Sequence, residues 1–183
     1  MAWRALAVAY YALSVFVVLL PVYWWFVSVG GVLTIMDSPF QISASFLGEE
    51  LRITELINAA LSGFRAYLLV MTAYGLFAVI RGKKFVHTTL FTVTVLYLLE
   101  PVLFFAAFKL LSALGYLPAD YEPVLFGATQ LTVTQPNAVA VMLVTFRPTE
   151  FYWFALLVAL LYPLMRAAMW LDGRKSKKGE DQS

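Results

Sequence analysis

The sequence predicts a mainly α-helical membrane protein, a four-transmembrane-helix bundle carrying a small extracytoplasmic antiparallel β-sheet built from both outer loops. Three observations lead there. The 183 residues are 62% hydrophobic and only 13% charged, against roughly 45–50% apolar and about 25% charged in an ordinary soluble domain, so most of this apolar surface needs lipid as its solvent. The apolar residues gather into four runs, each long enough to cross a ~30 Å hydrocarbon core as a helix. The basic residues collect at one end of those runs, the pattern that sets orientation.

The first span occupies residues 1–27, including a short cytoplasmic N-terminus. Its uncharged run exceeds the ~7–15-residue core of a cleavable signal peptide. It closes on Tyr23, Trp24, Trp25 and Phe26, aromatic residues suited to anchoring a retained span at an interface. In the outer loop 28–58, two β-rich segments, 31–36 and 40–46, flank Asp37, Ser38 and Pro39, which reads as a hairpin around a turn. Residues 48–58 read as a short helix leading into the second span, 59–80. A basic cytoplasmic turn, 81–84, joins it to the third span, 85–111. The second outer loop, 112–150, repeats the hairpin pattern: 129–134 and 139–146 flank Gln135, Pro136 and Asn137, with Leu131 and Val133 alternating against Thr132 and Thr134. The fourth span, 151–171, begins at Tyr152 and Trp153 and ends at Trp170. A charged tail, 172–183, is expected to be disordered.

Arg4, Arg81, Lys83, Lys84, Arg166, Arg174, Lys175, Lys177 and Lys178 fall on one side of these spans, and Arg52, Arg147 and Lys109 on the other. Both termini are therefore expected in the cytoplasm of a multi-pass protein of the cell membrane. Asp37, Glu49, Glu50, Glu55, Asp120, Glu122 and Glu150 give the outer side a mildly acidic character. Isolated hairpins are marginal in water, so the two are expected to pair into one sheet of about four strands, which hides two edges. This layout of four helices, cytoplasmic termini and an extracellular sheet drawn from both loops resembles that of the claudins and their relatives. The resemblance is confined to layout: the tryptophan motif and cysteine pair of the claudin first loop have no counterpart in residues 28–58.

Two charges stand inside the spans. Arg65 and Glu100 each lie 16 positions from their end of the 81–84 turn, hence ~24 Å from it at 1.5 Å per residue. An unpaired charge near the centre of a bilayer costs at least ~2.5–3.5 kcal/mol, so an Arg65–Glu100 ion pair is expected. Its use stays open between fixing packing register, a snorkelling Arg65 with Glu100 on a hydroxyl, and a working carboxylate that binds a cation or proton. Pro21, Pro101 and Pro163 interrupt three spans, and Pro101 follows Glu100 directly. Gly63 and Ala66, in the pairs Ala59/Gly63 and Ser62/Ala66, are candidate helix-packing positions.

Recognisable catalytic chemistry is missing from the pattern. With no cysteine, disulfides, thiol chemistry and cysteine-held metals are excluded. His87, the one histidine, has no carboxylate within a helical turn, so neither a metal nor a haem is expected. Ser14, Ser28, Ser62 and Ser112 lack a glycine-rich elbow. No cofactor is expected, and the basic tail reads as a topology anchor on anionic headgroups, not as a nucleic-acid contact. The expected partners are the lipid bilayer and either further copies of the chain or another membrane protein. The function that fits is non-catalytic: self-assembly, or service as a structural or accessory subunit, through the β-domain, with Ile42, Leu131, Val133, Val139 and Val141 as candidate association residues. The alternatives are a small transporter or channel component using Glu100 as its coupling carboxylate, and a lipid-modifying enzyme drawing on Glu49, Glu50, Glu55, Asp120 and Glu122.

Overall fold

A computed structural model describes residues 2–117, 121–135 and 138–180. In chain order these form α1 (Ala2–Leu19), β1 (Trp25–Val29), β2 (Leu33–Ser38), β3 (Gln41–Phe46), β4 (Glu49–Glu50), α2 (Ile53–Ile80), α3 (Thr89–Leu96), a 3₁₀ turn (Tyr97–Leu99), α4 (Glu100–Ala113), β5 (Gly127–Gln135), β6 (Ala138–Pro148) and α5 (Glu150–Glu180). Three helical stretches, Ile53–Ile80, Thr89–Ala113 and Glu150–Arg174, are long and apolar enough to cross a membrane. The apolar part of α1, Trp3–Leu19, is shorter. The chain divides into two compact units. One comprises Met1–Pro21, Gly63–Val95 and Phe154–Ser183; the other comprises Val22–Ser62 and Leu96–Trp153.

The first unit is helical. Its core gathers Trp3, Ala7, Tyr10 and Tyr11 of α1, Val79 of α2, and Tyr162, Met165 and Met169 of α5. The rings meet tilted and stacked, Tyr10 against Tyr162 at 5.7 Å and Phe91 of α3 against Tyr162 at 5.2 Å. Gly75 brings α1 and α2 close: a β-carbon there would stand 2.6 Å from the Tyr11 ring. Hydroxyls that face apolar surroundings satisfy themselves on the preceding turn, Thr72 on the Leu68 carbonyl and Thr94 on that of Leu90, both at 2.8 Å.

The first apolar helix, α1, ends eight residues before the first span that the sequence suggests. Leu20 N–H still reaches the Phe16 carbonyl at 3.2 Å, but Pro21 has no N–H to continue the ladder. The following Trp-Phe-Val-Ser-Val is aromatic and β-branched and alternates, so it becomes β1. The aromatic cluster that reads as an interfacial anchor is thus partly a strand. Two further boundaries move: helix begins at Ile53 as the start of α2, without a separate short helix before it, and α5 continues as helix to Glu180. Lysine and arginine are good helix formers and favour the negative end of the helix dipole, which accounts for helix where a disordered tail is expected.

The second unit holds one antiparallel sheet in the order β4-β3-β2-β1-β6-β5. It has six strands where the sequence suggests about four, because β1 comes from the supposed end of the first span and β4 adds a two-residue edge. β1 is central and pairs on both sides, with Trp25 opposite Asp37 of β2 and Pro148 of β6. The β1–β2 turn uses Gly30 and Gly31 at φ +57° and +71°, the left-handed pair that suits a tight hairpin. Tyr121, Leu131 and Val144 form a buried cluster with Phe108 of α4 packed against it, which defines the helix-facing side of the sheet.

Candidate functional site

Strand alternation decides what lies on the helix-facing side. Val144 and Phe146 of β6 are buried there, and the register continues that face through Trp25, Val27 and Val29 of β1 to Leu33, Ile35 and Asp37 of β2. On β3 the same face carries Phe46, Ala44 and Ile42. Among the described residues, Asp37 is the one carboxylate on this otherwise apolar and aromatic face of β6, β1, β2 and β3. The sequence places it in a turn, yet the strand runs through Ser38, whose hydroxyl accepts the Phe40 and Gln41 N–H groups at 3.3 and 3.2 Å and so forms the turn itself.

Aromatic rings crowd around this carboxylate. Trp24, whose backbone N–H donates to the Asp37 carbonyl at 2.7 Å, meets Phe40 at 5.8 Å, Tyr97 at 5.3 Å and Tyr152 at 5.9 Å. Trp25 stacks on Phe146 at 4.7 Å and touches Tyr152 at 5.7 Å. Glu100 reaches the same place for a local reason. Pro101 cannot donate to the carbonyl of Tyr97, so Glu100 N–H does, and a 3₁₀ turn separates α3 from α4 with Glu100 as the first residue of α4. Burial, and after it the nearby Glu100 carboxylate, push the Asp37 carboxyl up to about 7, against a smaller opposing pull from its own backbone amide. Tyr97 lies within electrostatic reach of both carboxylates. Among the described residues, Asp37 Oδ1, Trp24 Nε1, Trp25 Nε1 and the Tyr152 hydroxyl are all buried without a hydrogen-bond partner. A carboxylate oxygen and three nearby ring groups left unpartnered is a concentration that a structural core ordinarily avoids.

The opposite face of the sheet is apolar in one place. Val139, Val141 and Leu143 alternate along β6 and are 66%, 60% and 54% exposed. Across the ladder stand Thr134, Thr132 and Gln130 of β5. β1 pairs only with residues 144–148 of β6, so this stripe belongs to the part of the β5–β6 ribbon that extends past its neighbour. The edge of β3, by contrast, is closed. Ile42 N–H donates to Asn58 Oδ1 and Asn58 Nδ2 donates to the Ile42 carbonyl, each at 2.7 Å, and Leu51 N–H reaches the Ala44 carbonyl at 2.8 Å. A side-chain amide of α2 here substitutes for a strand.

The other residues singled out from the sequence are dispersed. Leu131 is only 3% exposed, and Val133 shares its helix-facing side, so these two serve the core of the unit. Arg65 and Glu100 belong to different compact units. Arg65 directs its guanidinium to the end of α1: Nε donates to the Val18 carbonyl at 2.8 Å and a second nitrogen to that of Leu19. Those carbonyls are free because the helix stops there. Gly63 has open space where a β-carbon would stand, and Ala66 is exposed, whereas Gly75 provides the close approach between α1 and α2. His87 lies within 3.2 Å of both the Tyr67 and the Thr89 hydroxyls. Glu49 and Glu50 sit exposed on β4, Glu55 is in the first turn of α2, and Asp120 lies outside the described residues. Among the described residues, no three histidine, aspartate or glutamate side chains converge as a metal-binding group.

No family model matches the chain, and neither a curated protein nor a solved structure is significantly similar to it.

Proposed function

We propose that this chain is a non-catalytic integral membrane protein with four spans and both termini in the cytoplasm, acting by self-assembly through its outer sheet. The basic residues at the cytoplasmic ends of the apolar runs support this orientation. α1 serves as the first span: its 18 residues are ~27 Å long at 1.5 Å each, close to a bilayer core. The observation that carries the reading is the exposed stripe of Val139, Val141 and Leu143 on the projecting ribbon. A polar, solvated strand face would not ordinarily present three consecutive large aliphatic side chains. The threonines across from them complete a flat, uncharged surface of the kind that sits at the centre of a subunit contact. Service as a structural or accessory subunit for another membrane protein uses the same surface.

Cross-linking in native membranes, combined with subunit counting in lipid nanodiscs, tests this. The parent is expected to be oligomeric, and Val141→Glu is expected to reduce it to monomers while leaving its thermal transition in place. An oligomer that withstands both Val141→Glu and Val139→Glu removes the stripe from the argument. A parent that is monomeric and binds no partner in its native membrane removes the function.

A further inference from the structure

We propose that Asp37 is a proton-binding site, at which a single proton taken from water neutralises a carboxyl held beside Glu100 on the helix-facing side of the sheet and thereby seats β2 on the 3₁₀ turn and α4. The inference is independent of self-assembly, since its readouts are the same in a monomer.

The geometry carries it. Register fixes Asp37 on the apolar face, between Trp25 of β1 and Ile42 of β3, so its side chain cannot turn to the solvated face without breaking the pairing of β2. Its Oδ1 is enclosed and has no donor. Trp25, the cross-strand neighbour on the same face, is 1% exposed, and its indole N–H is also unpartnered. Trp24, fully buried, packs against Tyr97 with its own N–H unused. A permanently ionised carboxylate would be expected to draw such donors onto itself; a carboxylic acid needs them far less. The groups facing Asp37 are accounted for by element. β1 offers Trp24 and Trp25, and β3 offers Ile42, none of which ionises. The 3₁₀ turn offers Tyr97 and α4 offers Glu100, while α5 brings Tyr152 against both tryptophans. Among the described residues, no basic side chain of the same unit offsets the charge. Two acids this near each other in apolar surroundings cannot both ionise cheaply. The rings stand 4.7–5.9 Å apart between centroids, and a proton is the cation that needs no volume of its own. The step balances simply: a carboxylate oxygen gains a proton from water on the outer side and returns it when the pH rises.

Infrared difference spectroscopy on the full chain in lipid nanodiscs, stepped from about pH 5 to about pH 9, follows the carbonyl stretch of a protonated carboxyl. The parent is expected to lose one such band with a midpoint near 7, outside the ordinary carboxylate range of about 4. Asp37→Asn is expected to remove the band, and Glu100→Gln to keep it while lowering its midpoint by about one pH unit, because the second acid no longer opposes ionisation. A band that survives Asp37→Asn, or a parent that titrates only below about pH 5, overturns the proposal; an unmoved midpoint in Glu100→Gln overturns the role given to Glu100. Should Asp37→Asn not fold, amide exchange of residues 33–38 in the parent decides. Local opening must increase with pH beyond the intrinsic base catalysis of exchange, and a constant opening equilibrium refutes the seating of β2.

Discussion

Arg65 in the helical unit and Asp37 in the sheet unit are both charges placed among apolar side chains, and the chain treats them in opposite ways. Arg65 is paired. Its guanidinium closes two carbonyls left open where α1 stops, at the end of the helix that already carries partial negative charge. Arg4 does the reciprocal service for α2 by donating to the Ile80 carbonyl. The spacing makes the two clamps compatible: Arg4 to Val18 spans ~21 Å along α1, and Arg65 to Ile80 spans ~22 Å along α2. Arginine stays charged at any accessible pH, so this arrangement is permanent. Asp37 has no such partners and can lose its charge by taking a proton. The difference teaches that a half-buried charge paired with backbone groups reports on architecture, whereas one whose enclosed oxygen has no donor reports on chemistry.

The largest effect is expected at the satisfied charge. Arg65→Leu removes charge-assisted hydrogen bonds worth about 1.5–3 kcal/mol each and leaves two carbonyls open, so the helical unit should lose about 3 kcal/mol, read as a lowered thermal midpoint in detergent. Arg65→Lys, which keeps the charge without the fork, should recover part of it. A leucine variant that melts with the parent would make Arg65 as dispensable as a surface residue.

An effect that is smaller at neutral pH, and of distinct form, belongs to Asp37. Burial pushes its folded carboxyl up to about 7, above the ordinary carboxylate range of about 4, so the folded state holds a proton that the unfolded state has released. Stability from this group is complete below about pH 4 and is lost as the pH rises to about 7 and beyond. The thermal midpoint of the parent should therefore fall between those values, and that of Asp37→Asn should stay level. A parent midpoint that rises over the same window would reverse the assignment.

The smallest effect carries the comparison to neutral groups. Asn58→Ala opens the Ile42 N–H and carbonyl at the sheet edge, where water can reach them, at a cost of about 1 kcal/mol. Faster amide exchange at Ile42, with little change in the helices, is the expected sign. Protection equal to the parent would mean that the edge is closed by something other than the amide.

The legibility of these features in the sequence follows the physics of each. Apolar runs and alternating, turn-punctuated segments announce helices long and apolar enough to cross a membrane and an antiparallel sheet, and the structure has both. The end of α1 is hidden because Trp24 to Val29 is as apolar as the helix before it; composition cannot separate a buried strand from the last turns of a span, and only Pro21 signals the change. With that end misplaced by eight residues, the carbonyls that receive Arg65 cannot be foreseen, and a depth argument turns to Glu100 instead. Asp37 is a different case. Read with Leu33 and Ile35 at period two, it falls on the core face, but its neighbours Ser38 and Pro39 speak for a turn and mask the alternation. Trp24, Trp25, Tyr97 and Tyr152 come together only through the sheet, the 3₁₀ turn and α5, and no local pattern assembles them.

The central position of β1 has a consequence for how the protein is made. Its two neighbours are β2, which follows at once, and β6, which lies roughly 120 residues downstream and takes about 6–24 s to be synthesised at 5–20 residues per second. Throughout that interval the β1 flank that will pair with β6, from Trp25 to Val29, has no partner strand. The ribosome thus releases a nascent chain with a sticky seam that later sequence must close, and biogenesis of this protein should be most sensitive to delays between the second and fourth helices.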